Sequence, residues 1–164
     1  MENLSLIAAI GPNRELGYNN QLLWHIKEDL KFYKEMTWGK NIIMGRLTLE
    51  SMPKKALIGR TPLILTKSLI TYDDKIAYFN HINQLLELIE NSKEEFMVVG
   101  GATIYKEFLP YVDTMYLTSI NDIIPHKADC YFPEFDIINW DTYLLKEGID
   151  NTVSYQTKKY VRKK

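Results

Sequence analysis

Cysteine is nearly missing from this chain. Cys130 stands alone, so no internal disulfide framework can brace the fold, and a reducing compartment suits the composition. The three histidines, His25, His81 and His126, have no ligand spacing with that cysteine, which argues against a metal centre. No apolar run approaches membrane-spanning length, and we read no signal peptide ahead of the first apolar stretch. A formal charge of -1 gives no basis for a nucleic-acid or membrane surface. The basic cluster Lys158, Lys159, Arg162, Lys163 and Lys164 reads as a solvated terminus. Two nucleotide fingerprints are missing as well. No second glycine follows Gly101 at G-x-G-x-x-G spacing, which disfavours a conventional Rossmann dehydrogenase, and no Walker A pattern occurs. What remains is an ordinary globular composition, 46% hydrophobic and 25% charged over 164 residues. We expect a cytoplasmic monomer whose residues 1–164 form one domain.

The apolar pattern predicts an α/β fold. Leu4–Ile10 is an almost uninterrupted apolar run, the mark of a strand buried on both faces of a parallel sheet. Residues 11 to 23 are turn-rich and read as a long loop, a feature usually functional in a compact domain. A helix over 27–37 follows, then strands at Asn41–Met44, Pro62–Thr66, Ile76–Phe79, Phe96–Val99 and Thr114–Ile120. Helices are expected at about 46–52, 82–91 and 103–109. Alternation in Tyr143–Lys146 and Val153–Tyr160, around Gly148-Ile149-Asp150-Asn151, predicts an antiparallel hairpin. The fold expected is three-layer α/β/α, with a mostly parallel eight-stranded sheet ending in that hairpin. Tyr72, Tyr78, Tyr143, Tyr155 and Tyr160 read as strand residues, and Trp38 and Trp140 as packing residues.

Two features carry chemistry. Asp29 borders the apolar stripe of Leu30, Tyr33 and Met36 on the predicted helix, one turn before Tyr33. A carboxylate at the edge of a greasy pocket needs a cationic or donor partner, and a flat protonatable heterocycle would supply one. Glu28, by contrast, reads as an ordinary first-turn acid favoured by the helix dipole. The second feature is a set of glycine-led strand ends: Gly45-Arg46-Leu47-Thr48 and Gly100-Gly101-Ala102-Thr103-Ile104-Tyr105. Glycine allows close backbone approach, and the helix start beyond it offers free N–H groups to an anion. Arg46 and Thr48 add a guanidinium and a hydroxyl, and Thr66-Lys67-Ser68 adds hydroxyls beside a cation at a third strand end. Three such ends fit a dinucleotide better than a mononucleotide.

In order and spacing, the chain resembles the dihydrofolate reductase family. The resemblance rests on Ser5-Leu6-Ile7-Ala8-Ala9, Leu16-Gly17, Trp24-His25 through Asp29-Leu30, Ile43-Met44-Gly45-Arg46-Leu47-Thr48-Leu49-Glu50-Ser51, Gly59-Arg60, Val98-Val99-Gly100-Gly101-Ala102-Thr103-Ile104-Tyr105, Tyr116-Leu117-Thr118, and Asp129 with Phe132-Pro133. It implies NADPH-dependent reduction of 7,8-dihydrofolate to tetrahydrofolate in support of one-carbon and thymidylate metabolism, and antifolates as inhibitors. Asp29 would bind the 2-amino group and ring nitrogen of the pterin, supported by Thr118, with the backbone carbonyls of Ile7 and Val99 and with Ala8 in the same pocket. Leu30, Tyr33, Met52 and Leu57 would hold the aminobenzoyl ring, and Arg60 the glutamate α-carboxylate. Ala9, Leu16, Gly17 and Asn20 would lie at the nicotinamide, with Trp24 and the lid from Gly17 to Leu23 above it. Gly45, Arg46, Leu47, Thr48, Thr66, Lys67 and Ser68 would bind the phosphate and adenosine end, and Gly100 through Tyr105 the pyrophosphate. Tyr105 and Trp24 would join Asp29 at the reacting rings. Asp29 is expected to orient and polarise the pterin while water brings the N5 proton.

Some positions depart from the family pattern. Leu23 and Lys27 stand where prolines are usual, which frees the backbone there. Leu49 replaces a common aromatic, Lys54–Gly59 lacks a Pro-Leu-Pro, and Ile124–Cys130 lacks a Gly-Asp-Thr. Three other readings stay open at this point: a pyrimidine reductase of riboflavin synthesis, a non-catalytic nucleotide-binding relative, and a purely structural domain in which Asp29 only starts a helix.

Overall fold

A computed structural model describes residues 1–68, 76–122 and 126–164. Tyr72, Ile124 and Pro125 lie outside the described residues. In chain order the elements are β1 (Leu4–Ile10), β2 (Glu15–Tyr18), β3 (Gln21–Leu22), α1 (Lys27–Thr37), β4 (Asn41–Gly45), α2 (Arg46–Ser51), a 3-10 turn (Lys54–Leu57) and β5 (Thr61–Leu65). They continue with β6 (Ala77–Phe79), α3 (Ile82–Glu90), β7 (Phe96–Gly100), α4 (Ala102–Phe108), β8 (Thr114–Asn121), β9 (Cys130–Tyr131), a second 3-10 turn (Ile137–Asn139), β10 (Trp140–Asp150) and β11 (Val153–Arg162).

Eight strands form one sheet in the order β10-β11-β8-β1-β7-β4-β5-β6. Pairing is parallel from β8 through β6, and antiparallel only where β11 joins β8 and β10 joins β11. The central strands are buried on both faces, since the pleat sends alternate residues opposite ways. Leu4, Leu6, Ala8, Ile43, Leu63, Phe96, Val98, Met115 and Leu117 pack beneath α3 and α4 through Leu85, Ile89, Ile104 and Phe108. Ile7, Ile42, Met44, Ile64, Met97 and Val99 meet Phe32, Tyr33 and Met36 of α1 on the other side. This is the expected three-layer arrangement.

Two expectations change. The 11–23 segment is not an open loop: β2, β3 and β9 make a small antiparallel sheet of their own. Its hairpin turns at Asn19 and Asn20, with φ of 52° and 61°. Asparagine tolerates that left-handed region, so two adjacent asparagines close a two-residue turn. The stripe of α1 is also rotated. Phe32, Tyr33 and Met36 face the sheet, whereas Leu30 is 38% exposed. A 3.6-residue period places 29, 32, 33 and 36 on one side, and Leu30 falls at its margin.

Candidate active site

Helix α1 carries its acid toward the carboxyl-terminal half of the sheet. Thr118, buried in β8, donates its hydroxyl proton to Asp29 Oδ1 at 2.6 Å. Burial pushes the Asp29 carboxyl above its ordinary value, against the opposing pull of the Thr118 hydrogen bond and of the Lys146 cation. Lys146 comes from β10, just past an irregularity in the β10–β11 pairing. Its ammonium donates to the Glu28 carbonyl at 3.0 Å and lies 4.7 Å from the centre of the Phe32 ring.

Around this pair the structure gathers Tyr33, Met52 and Leu57 on one apolar wall and Ile7 and Val99 on the sheet floor. Ala8 turns its methyl to the opposite face, under α4, so a pocket role for it falls to its backbone. Tyr105 is buried, and its hydroxyl donates to the Ile7 carbonyl at 2.7 Å. Burial raises its ionisation far above the ordinary phenol value, so it remains a donor and takes no part in proton exchange. Tyr33 differs. Its hydroxyl is buried without a hydrogen-bond partner among the described residues, and burial pushes the phenol up to about 12.

Arg60 is held against the carboxyl end of α1. Its Nε donates to Thr37 Oγ1 at 3.0 Å, and its two terminal nitrogens donate to the carbonyls of Ile58 and Lys34, each at 2.7 Å. A guanidinium has five N–H groups, so one remains on each terminal nitrogen. Those two are left to fork onto an incoming carboxylate. The Trp38 ring lies 5.2 Å from the guanidinium carbon.

The glycine-led strand ends lie side by side. A methyl on Gly45 would stand 3.2 Å from Ile104, and one on Gly101 would stand 3.5 Å from Thr48 Oγ1. Gly100 has φ +128°, a backbone state that side chains rarely tolerate, and the Gly100–Gly101 peptide is cis. Arg46, Leu47, Lys67 and Ser68 stand exposed along the rim, with Arg46 3.6 Å from Glu50. Thr66 Oγ1 accepts from the Ser68 amide at 3.2 Å. Open backbone, exposed cations and small hydroxyls together fit a phosphorylated dinucleotide.

The β2–β3 hairpin is tied down on two sides. Asp129 Oδ2 accepts from the Asn19 amide, and Asn20 Nδ2 donates to the Leu47 carbonyl, both at 3.0 Å. Leu16 packs into the α4 side of the core, whereas Ala9 and Trp24 pack beside Ile26, Ile120 and Tyr155. Trp24 Nε1 donates to Asp122 Oδ2 at 3.1 Å, and His126 meets the same oxygen at 2.6 Å.

Sequence reasoning missed Lys146, Asp150, Thr157 and Asp122. Lys27 lacks the usual proline, yet its backbone is not left free: the amide donates to Asp150 Oδ2 at 3.1 Å. That bond caps α1 from a residue far along the chain, where Ile26 supplies no side-chain cap. Alternation in β11 gave one usable signal, because it places Tyr155 and Thr157 together on the buried side.

The family model described as dihydrofolate reductase matches residues 3–162. A dihydrofolate reductase of Buchnera aphidicola subsp. Acyrthosiphon pisum is 41% identical over 154 residues, covering 93% of this chain and 92% of the relative. One from Bacillus subtilis is 32% identical over 163 residues, covering 98% and 95%. Among solved structures, dihydrofolate reductase from Enterococcus faecalis complexed with NADP(H) and RAB-propyl superposes with a TM-score of 0.86 at 26% identity, covering 98% of this chain and 96% of that one. With the match running almost end to end, the chain belongs to the dihydrofolate reductase family.

Proposed function

We infer that the chain reduces 7,8-dihydrofolate to 5,6,7,8-tetrahydrofolate with NADPH, and that Asp29 is the anchor around which the reaction is organised. The observation that carries this reading is the 2.6 Å bond from Thr118 to a carboxylate set in an apolar wall. Thr118 occupies one oxygen of Asp29, leaving the other for the amino and ring N–H groups of the pterin. A partly desolvated carboxylate binds such donors more strongly than an exposed one. Tyr33, Met52 and Leu57 supply the flanking walls, and the Arg60 fork takes the α-carboxylate.

Arg46, Thr48, Thr66, Lys67 and the Gly100–Tyr105 turn would hold NADPH, with Arg46 and Lys67 favouring it over NADH by charge. When bound, NADPH supplies the hydride that reduces pterin C6. The chain's own part is to align the rings, exclude water and polarise the pterin. Tyr105 keeps its proton on the Ile7 carbonyl, whereas Asp29 is a pocket carboxyl that burial raises above its ordinary value. It orients and polarises the ring while water brings the proton to N5. The same reading holds the chain to be a cytoplasmic monomer acting on a small folate, with no nucleic-acid or membrane partner. The near-neutral charge and the lone Cys130 thiol support it, and light scattering of the purified protein tests the monomer. Among the described residues, no helix is long and apolar enough to cross a membrane.

The test is initial-rate oxidation of NADPH with and without dihydrofolate, in the wild type and in Asp29→Asn. Dihydrofolate-dependent consumption that methotrexate stops is the expected wild-type result. The variant should keep its fold and NADPH affinity while losing about 10²- to 10⁴-fold in rate. Near-normal turnover of Asp29→Asn at neutral pH would overturn the role given to the carboxylate.

A further inference from the structure

Thr157 lies directly across from Thr118 in the antiparallel pairing of β11 with β8. Its side chain is fully buried, on a strand face whose neighbouring buried residue is Tyr155. Valine has the same shape and an equal liking for strands, so a buried threonine there costs desolvation unless its hydroxyl is bonded. It is bonded: Thr157 Oγ1 stands 2.8 Å from Thr118 Oγ1. The distance alone does not say which hydroxyl donates, but the neighbouring bond does. Thr118 has one proton, and an ionised Asp29 at 2.6 Å claims it. Thr118 can meet Thr157 only as an acceptor, so Thr157 donates.

We propose that Thr157 is a positioning residue of the pterin site, the outer member of a two-hydroxyl relay that runs from β11 through Thr118 and fixes the orientation and charge of Asp29. Donation into Thr118 polarises its O–H and strengthens the bond it makes to the carboxylate. The relay also fixes the rotamer of Thr118, since both of its interactions must be met at once. The inference rests on Asp29 being the pterin anchor.

Other groups act on Asp29 from the elements around it. Lys146 faces it from β10 and favours the ionised form. Tyr155 of β11 and Tyr105 of α4 are coupled to it electrostatically and stay neutral, since both phenols are raised. Glu28 precedes it on α1, and Tyr33, one turn on, is also raised. Of the partners from β8 and β11, the two threonines are uncharged, so the relay acts by hydrogen bonding and leaves the Lys146 field untouched.

The experiment compares the wild type with Thr157→Val and Thr157→Ser in the full chain. Carboxyl-carbon NMR on aspartate-labelled apoprotein follows the Asp29 titration, assigned by loss of the signal in Asp29→Asn. Alongside it run kcat/KM for dihydrofolate against pH and the Kd of NADPH. Thr157→Val removes the donor without changing shape, so the Asp29 midpoint should rise by roughly 0.5 pH unit. The pH profile of kcat/KM should move the same way, with about a threefold change on its Asp29 limb. NADPH affinity should not change, and Thr157→Ser should restore both readings. An unmoved midpoint in folded Thr157→Val, or no rescue by serine, would reduce Thr157 to a space-filling residue. Should the valine variant not fold, Thr157→Ala carries the same titration. Full activity in Asp29→Asn would sink the pterin-anchor reading instead, while the NMR titration would still decide whether the relay exists.

Discussion

The two ends of the site are built in opposite ways. At the end proposed for the pterin, most polar groups already have a partner within the protein. Asp29 is bonded to Thr118, Thr118 to Thr157, Tyr105 to Ile7 and Arg60 to three acceptors, all at 2.6–3.0 Å. At the end proposed for the cofactor the groups are mostly exposed side chains and open backbone, and the ion pair of Arg46 with Glu50 at 3.6 Å is a loose surface contact. A pre-wired end loses little order when a ligand arrives and can direct charge at the reacting ring. An open end gives up more order on binding, but it can release a charged ligand each cycle. Tyr33 is the exception at the end proposed for the pterin, its buried hydroxyl having no hydrogen-bond partner among the described residues.

This contrast predicts that changes at the wired end alter binding and stability together, whereas changes at the open end alter binding alone. The largest effect follows from Arg60→Ala. Losing the fork should raise KM for dihydrofolate by roughly 10- to 100-fold, and stranding the Lys34 and Ile58 carbonyls should lower Tm, while NADPH affinity holds. Equal loss for both ligands in steady-state kinetics would break the comparison. Arg46→Ala should weaken NADPH by about two- to fivefold and narrow its advantage over NADH, with Tm unchanged. A lowered Tm in a melting curve would mean that the rim is wired after all.

A subtler effect concerns stability. Asp29 has a folded-state carboxyl raised above its unfolded value, mainly by burial. Such a group holds its proton more tightly when folded, so stability is full below the unfolded value and falls as pH rises through the folded one. Asp29→Asn removes that loss. It should raise Tm at neutral pH and leave it unchanged at acid pH. Melting curves across pH check the sign, and a Tm that falls at neutral pH would refute it.

Much of the fold was legible because buried parallel strands are continuous apolar runs. Leu4–Ile10 and the 27–37 helix stand where the pattern put them. The β2–β3 hairpin leaves no period in the sequence because its strands are too short for one to register. β10 begins earlier than expected, at Trp140, since an exposed edge strand needs no apolar alternation. The hairpin reverses at Asn151, whose φ is 57°, the last residue of the Gly148–Asn151 cluster around which the pattern places it. At the site, Asp29 declared itself by local spacing, and its Thr118 partner came only with the family resemblance. Lys146, Asp150 and Thr157 did neither. Their roles come from the register of strands far apart in the chain, which no local window contains.

That dependence has a consequence in time. Asp29 leaves the ribosome early, while Lys146, Asp150 and Thr157, which grip α1 or its acid, are all on β10 and β11. At synthesis rates of about 5–20 residues per second, the helix waits on the order of ten seconds for the strands that complete its surroundings. Until then a nascent chain has an acid without its brace, and the pocket is among the last features of the molecule to exist. A cell cannot draw folate chemistry from a half-made copy of this protein.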